Sequence, residues 1–97
     1  FIVPVVDDGR VRSLVVLSLS LETRTGMRTT VHSREPKLRA TFLTVLFDHA
    51  NAGGFDHDFT SSSRIGTLRQ ALWEAGRPIL GPDLVDVLIT DIARQDS

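Results

Sequence analysis

Residues 11–23, "VRSLVVLSLSLET", constrain this chain most. Val11, Val15, Leu17, Leu19 and Leu21 are apolar at odd positions, while Ser18, Ser20 and Glu22 are polar at even ones. A period of two marks a strand with one face on a core and the other in water. Leu14 and Val16 interrupt the alternation, so the first half of the strand is expected to be covered on both faces. Residues 1–6 are apolar and mostly β-branched, and Asp8-Gly9 between the two runs is a short-range hairpin signal, because Gly reaches positive φ cheaply. Pro4 has no N–H to give a ladder, which makes the first strand an edge or a short one.

Beyond Gly26 the period changes to that of a helix. Leu38, Phe42, Val45, Leu46 and His49 fall on one stripe, with Leu43 and Phe47 widening it. Pro36 allows two readings. Either it opens the helix, where its missing N–H is harmless, or the helix starts near Met27 and runs through it, losing the bond to the His32 carbonyl. Thr29, Thr30 and Val31 favour the short version on local propensity. Gly53-Gly54 stops this helix, and the serines at 61–63 offer caps to the next. Ile65, Leu68, Leu72, Ala75 and Ile79 form the second stripe, ending either near Ala75 or at Leu80. After Gly81-Pro82 comes a closing strand, residues 83–95. Its continuous apolar run predicts a central strand buried on much of both faces. The expectation is therefore an α+β two-layer sandwich of β-β-α-α-β order. It has a three-stranded sheet, the last strand pairing with the long second one, and two helices on one face.

Ninety-seven residues and 41% apolar content suit one domain with a modest core. The net charge of −1 supplies no bulk attraction to nucleic acid or to an anionic membrane. The β-α-α-β portion is shared with the KH module, but the GXXG loop of that module is missing, so no nucleic-acid partner is expected. The chain has no cysteine, which removes thiol chemistry and disulfides. No run reaches the roughly 20 apolar residues of a membrane span, and no signal-peptide pattern occurs. The chain opens on Phe1 directly into strand-like residues, and we read it as a fragment or a processed product.

The stretch "FDHANAGGFDHDF" at 47–59 invites a chemical reading. Asp48 and His49 are helical neighbours about 100° apart, a poor chelating pair. Asp56 and Asp58 share a face only if the loop is extended, and the EF-hand pattern is absent. Asp56, His57 and the serines at 61–63 have triad residue types without a nucleophile elbow. A solvated loop is the expectation, with no catalytic residue, cofactor or metal. Arg34, Lys37 and Arg39 are expected to form the wet face of a helix, and Trp73 to lie in the core. Phe55 and Phe59 either seal the core or stand out as partner anchors. With Phe1 and Pro4 on the first-strand edge, they make up the candidate partner-binding residues.

Three segments together resemble the C-terminal domain of the flagellar basal-body-associated FliL family. They are the alternating strand "RSLVVLSLSLE"; "REPKLRATFLTVL", with Arg34, Pro36, Leu38, Arg39, Phe42, Leu43 and Leu46; and "GTLRQAL…LGPDLVDVLITDIARQ", with Leu68, Arg69, Leu72, Gly81, Val85, Val87, Leu88, Ile89, Thr90 and Gln95. The resemblance spans nearly the whole chain. It implies a stomatin/prohibitin-type fold and a first helix that runs through Pro36. It also implies a periplasmic domain, tethered to the bacterial inner membrane by a helix upstream. Such a domain forms ring-like homo-oligomers beside the flagellar stator proteins at the basal body and supports torque and swarming without enzymatic activity. A stomatin-like membrane scaffold with a non-flagellar client is the alternative. The loop at 51–63 is longer and richer in Gly and His than this family leads one to expect.

Overall fold

The computed structural model describes residues 1–96. The strands are β1 (Ile2–Asp7), β2 (Arg10–Thr23) and β3 (Leu84–Asp96), and the helices are α1 (Arg28–Asn51) and α2 (Ser62–Leu80). A 3-10 turn, Gly81–Asp83, leads into β3. The order is β-β-α-α-β, and the sheet is antiparallel throughout in the order β1-β2-β3. Asp8 and Gly9 both take positive φ, 50° and 74°, so the hairpin closes through the two-residue turn that their sequence announces.

One face of the sheet carries the core. Val3, Val5, Val15, Leu17, Leu84 and Val87 are buried there against Leu38, Phe42 and Leu46 of α1 and Leu68 and Leu72 of α2. The opposite face is open. Ile2, Leu14 and Val16 remain 63%, 37% and 39% exposed, so the first half of β2 is covered on one side only. The two helices are consumed by a single face, and nothing in residues 1–96 is left to cover the other.

The closing strand is an edge, and β2 is central, contrary to the reading of its apolar run. Two bulges explain the run. Pairing slips between Ser18 and Leu19 and again between Glu22 and Thr23. The inward residues of β3 therefore lie opposite Thr23, Leu21, Leu19 and Leu17, which makes them Leu84, Val87, Ile89 and Ile92. Each bulge inserts one residue and resets the alternation. A one-sided strand then has the composition of a two-sided one.

Helix α1 takes the long form, and Pro36 sits inside it. Pro36 and His32 are both exposed, so the carbonyl freed by the missing N–H opens to water. Pro78 inside α2 follows the same rule, because it and Glu74 also face solvent. Fully buried residues of α1 begin only at Leu38, and Val31, partly buried, is the apolar residue of its first ten positions that packs against the core. Those first turns are tied down by Arg34, whose guanidinium donates to the Ile79 carbonyl near the end of α2. Arg34 therefore has a structural partner that the wet-face reading did not foresee. Phe47, expected on the inner stripe, is 40% exposed. Gly76 lets α2 pack closely on its neighbours: a Cβ there would stand 2.9 Å from Leu84 Cδ2 and 3.3 Å from Phe42 Cε1.

Candidate functional site

The inter-helix loop begins with a helix stop of the Schellman type. Gly54 N–H donates to the His49 carbonyl (2.8 Å) and Gly53 N–H to that of Ala50 (3.1 Å), with Gly53 at φ 81°. In such a stop an apolar side chain after the glycine usually packs back on the helix. Here that place is held by Gly54, and the His49 ring fills the space. A Cβ on Gly54 would meet His49 Nε2 at 2.2 Å. The same ring stands edge-on to Phe55 at 4.8 Å.

Phe55 is 1% exposed and belongs to the core, so it is withdrawn from the exposed partner anchors. Phe59 is half-buried against the core beneath the Arg94 guanidinium, 4.8 Å from its ring centre. The loop thus tucks down on both aromatic residues. Its backbone carbonyls have no ladder to enter, and two arginines supply donors. Arg64 of α2 donates to Gly53 O at 2.7 Å. Arg94 of β3 donates to Phe55 O at 3.0 Å and Asp56 O at 3.1 Å, and its Nε pairs with Asp96 at 3.1 Å. Sequence reasoning missed both arginines. The only hint was the length of a glycine-rich loop whose carbonyls must be satisfied from elsewhere.

Asp48, Asp56, His57 and Asp58 are exposed and point their chemistry at solvent. Among the described residues, no group of three His, Asp or Glu side chains is arranged to hold a metal ion. Burial lowers the His49 imidazole below its ordinary value of 6.5; the Gly54 backbone opposes this as a hydrogen-bond partner, and the nearby Arg64 charge adds to it. A cleft of about 750 Å³ opens between the hairpin tip and this loop, lined by Val5, Val11, Ser13, Phe55, Asp56 and Arg94 among others.

Phe1 is half-buried against the core, with the Arg39 guanidinium 5.0 Å from its ring centre. Its backbone exchanges two hydrogen bonds with Leu17, at 2.7 and 2.9 Å. By alternation, the main-chain groups of Ile2, Pro4 and Val6 face the free edge of β1. Pro4 therefore sits where its missing N–H blunts that edge. On β3 the same alternation turns the groups of Leu84 and Val87 outward. Side chains of α2 cover both: Trp73 Nε1 donates to Leu84 O (3.2 Å) and Arg69 Nε to Val87 O (3.1 Å), while Arg69 Nη2 pairs with Asp86 at 2.5 Å. Trp73, half-buried on the core, thus also guards an edge.

With one edge blunted and part of the other guarded, the open face of the sheet keeps exposed apolar side chains, Ile2, Leu14 and Val16 among them. Its rows read Ile2–Val16–Ala93 and Pro4–Leu14–Gln95 across the three strands. No family model matches this chain, and no curated protein matches it either.

Proposed function

We propose that this chain is a non-enzymatic, self-associating domain on the periplasmic side of the bacterial inner membrane, at the flagellar basal body, where it supports the stator. The open apolar sheet face carries the reading. A sheet that spends both helices on one side and keeps Ile2, Leu14 and Val16 exposed on the other has a binding surface. The flagellar assignment draws on the resemblance of the three segments. The course of α1 through Pro36 agrees with what that resemblance implies and goes against local propensity. Mechanistically, association on this face binds the engaged stator better than the free one and shifts the population toward it.

The test is genetic. Deleting the gene should abolish swarming at high load, and the intact gene should restore it. A copy with Val16→Asp, altered only on the open face, should not. Normal swimming and swarming in the deletion strain would overturn the flagellar assignment and favour a scaffold with another client.

A further inference from the structure

We infer that β2 carries a docking edge for an extended peptide of a partner protein, which adds a strand beside residues 18–23 and beneath the first turns of α1. Strand β1 covers only part of β2. Its pairing runs from Asp7 opposite Arg10 to Ile2 opposite Val16, and Phe1 closes it with two hydrogen bonds to Leu17. Leu17 thus turns its main-chain groups toward β1, and alternation turns those of Leu19, Leu21 and Thr23 to the same side. The bulges do not disturb this, because the extra residues, Thr90 and Val85, both lie on β3. The sheet order β1-β2-β3 leaves no described strand beside that stretch. Such an edge is a template for one more strand.

Helix α1 roofs the edge. Arg39 lies over the Phe1 ring, so the helix passes the start of β1 near that residue. From Lys37 back to Arg28 the helix extends past it by about 15 Å. Residues 18–23 of β2 extend past Leu17 by about 20 Å. The two extensions are comparable in length, and a groove of about 500 Å³ lies between them, with Leu21 and Thr23 on one wall and Met27, Val31 and His32 on the other. Leu21 and Val31 are only partly buried. A strand in this groove would send every second side chain toward Leu21 and Val31, so apolar residues fit at alternate positions. Its ladder bonds would satisfy the main-chain groups of Leu19 and Leu21. Charge sets the end of the occupant. Arg24 and Arg28 line the groove where β2 ends and α1 begins. Glu35 there is already shared between His32 and Arg39, and Asp83 stands 4.0 Å from Arg24. Arg28 has no ion-pair partner among the described residues. The fitting partner is therefore an extended segment with alternating apolar residues and, when it continues the direction of β1, an acidic N-terminal end. The flagellar assignment is not needed for this.

The probe is a capped peptide, Glu-Glu-Val-Thr-Val-Thr-Val-Thr, added to the full protein and followed by amide hydrogen exchange. Without peptide, the amides of Leu19 and Leu21 should exchange at least about tenfold faster than those of Ser18 and Ser20, which face β3. With about 1 mM peptide, protection of Leu19 and Leu21 should rise about tenfold, while Ser18 and Ser20 stay unchanged. A peptide N-methylated at alternate amides keeps the side chains but cannot enter the ladder, and should protect nothing. Arg28→Glu should weaken the acidic probe about threefold at low salt. Slow Leu19 and Leu21 amides in the full protein alone would mean that the edge is filled from within the chain, and would overturn the inference. So would a probe that gives no protection, or an N-methylated peptide that protects equally well. Unchanged affinity in Arg28→Glu would refute the acidic end.

Discussion

Single side chains in the inter-helix loop carry more of the architecture than their sequence context suggests. Phe55 lies in a polar, glycine-rich stretch yet is 1% exposed, while Phe47 lies on an apolar helical stripe yet is 40% exposed. Local hydropathy would rank them the other way round. The difference is that Phe47 lies off the Leu38–Phe42–Leu46–Ala50 face of α1 that is buried, whereas the loop folds back over the same core. Truncating Phe55 should show its weight. Phe55→Ala is expected to cost about 3–5 kcal/mol through lost transfer free energy and a residual cavity. Set against a typical domain stability of about 5–15 kcal/mol, that loss would be plain in a urea titration. His49 illustrates how a residue type misleads when read alone. Its pairing with Asp48 suggested chemistry, but its ring serves the helix stop that Gly53 and Gly54 set up.

Among the elements, the helices are the most exposed to conflict between local and tertiary preference. Pro36 and the β-branched residues before it argue for a late start to α1, and the structure starts it at Arg28. The helix has no side-chain cap at its N-terminus, and its first turn lacks an acidic residue. Its early turns are held by the partial packing of Val31 and by the Arg34 bond to α2, which are tertiary contacts. Helix α2 is better signalled, with Ser61 Oγ accepting from Arg64 N at 3.3 Å and Gly81 closing it at φ 73°. Replacing Pro36 should separate the two influences. An interior proline costs about 3 kcal/mol relative to alanine, and its stiffening of the unfolded chain returns about 0.4–1 kcal/mol. Pro36→Ala is therefore expected to stabilise the domain by about 2–2.6 kcal/mol, read as a higher urea midpoint with an unchanged m-value. A decrease would mean that the proline shapes α1 in a way the packing needs.

The molecule as a whole is one-sided, and that property controls how it tolerates change. Val15 and Val16 are neighbours of identical chemistry on opposite faces of β2, with Val15 at 0% and Val16 at 39% exposure. Val15→Asp buries a carboxylate without a partner and is expected to prevent folding at neutral pH. Val16→Asp meets solvent and should cost about 1 kcal/mol or less, mostly strand propensity. Circular dichroism melts of the two variants would check this. Similar melting points for both would contradict the two-layer arrangement. The contrast also makes Val16→Asp the right probe of association, since it changes the open face and leaves the core alone.

How far the sequence reached can be seen strand by strand. The turn at Asp8-Gly9, the inner face of β2, the caps of α2 and the β-β-α-α-β order were all determined locally, by positive φ, by period, and by residue types that satisfy helix ends. They needed no knowledge of what packs where. The place of β3 did not follow, because two bulges reset its alternation and only the pairing with β2 locates them. The fate of Phe55 and Phe59 did not follow either. Both outcomes were compatible with the residues, and the choice depended on Arg64 of α2 and Arg94 of β3 arriving at the loop carbonyls from distant parts of the chain. The open face was misjudged because Leu14 and Val16 look like core residues, and only counting two helices against two sheet faces shows that one face stays bare. The sequence by itself determined what each segment is. The tertiary structure decided which surfaces are spent on folding and which remain to bind, because burial depends on contacts made between segments far apart in the chain.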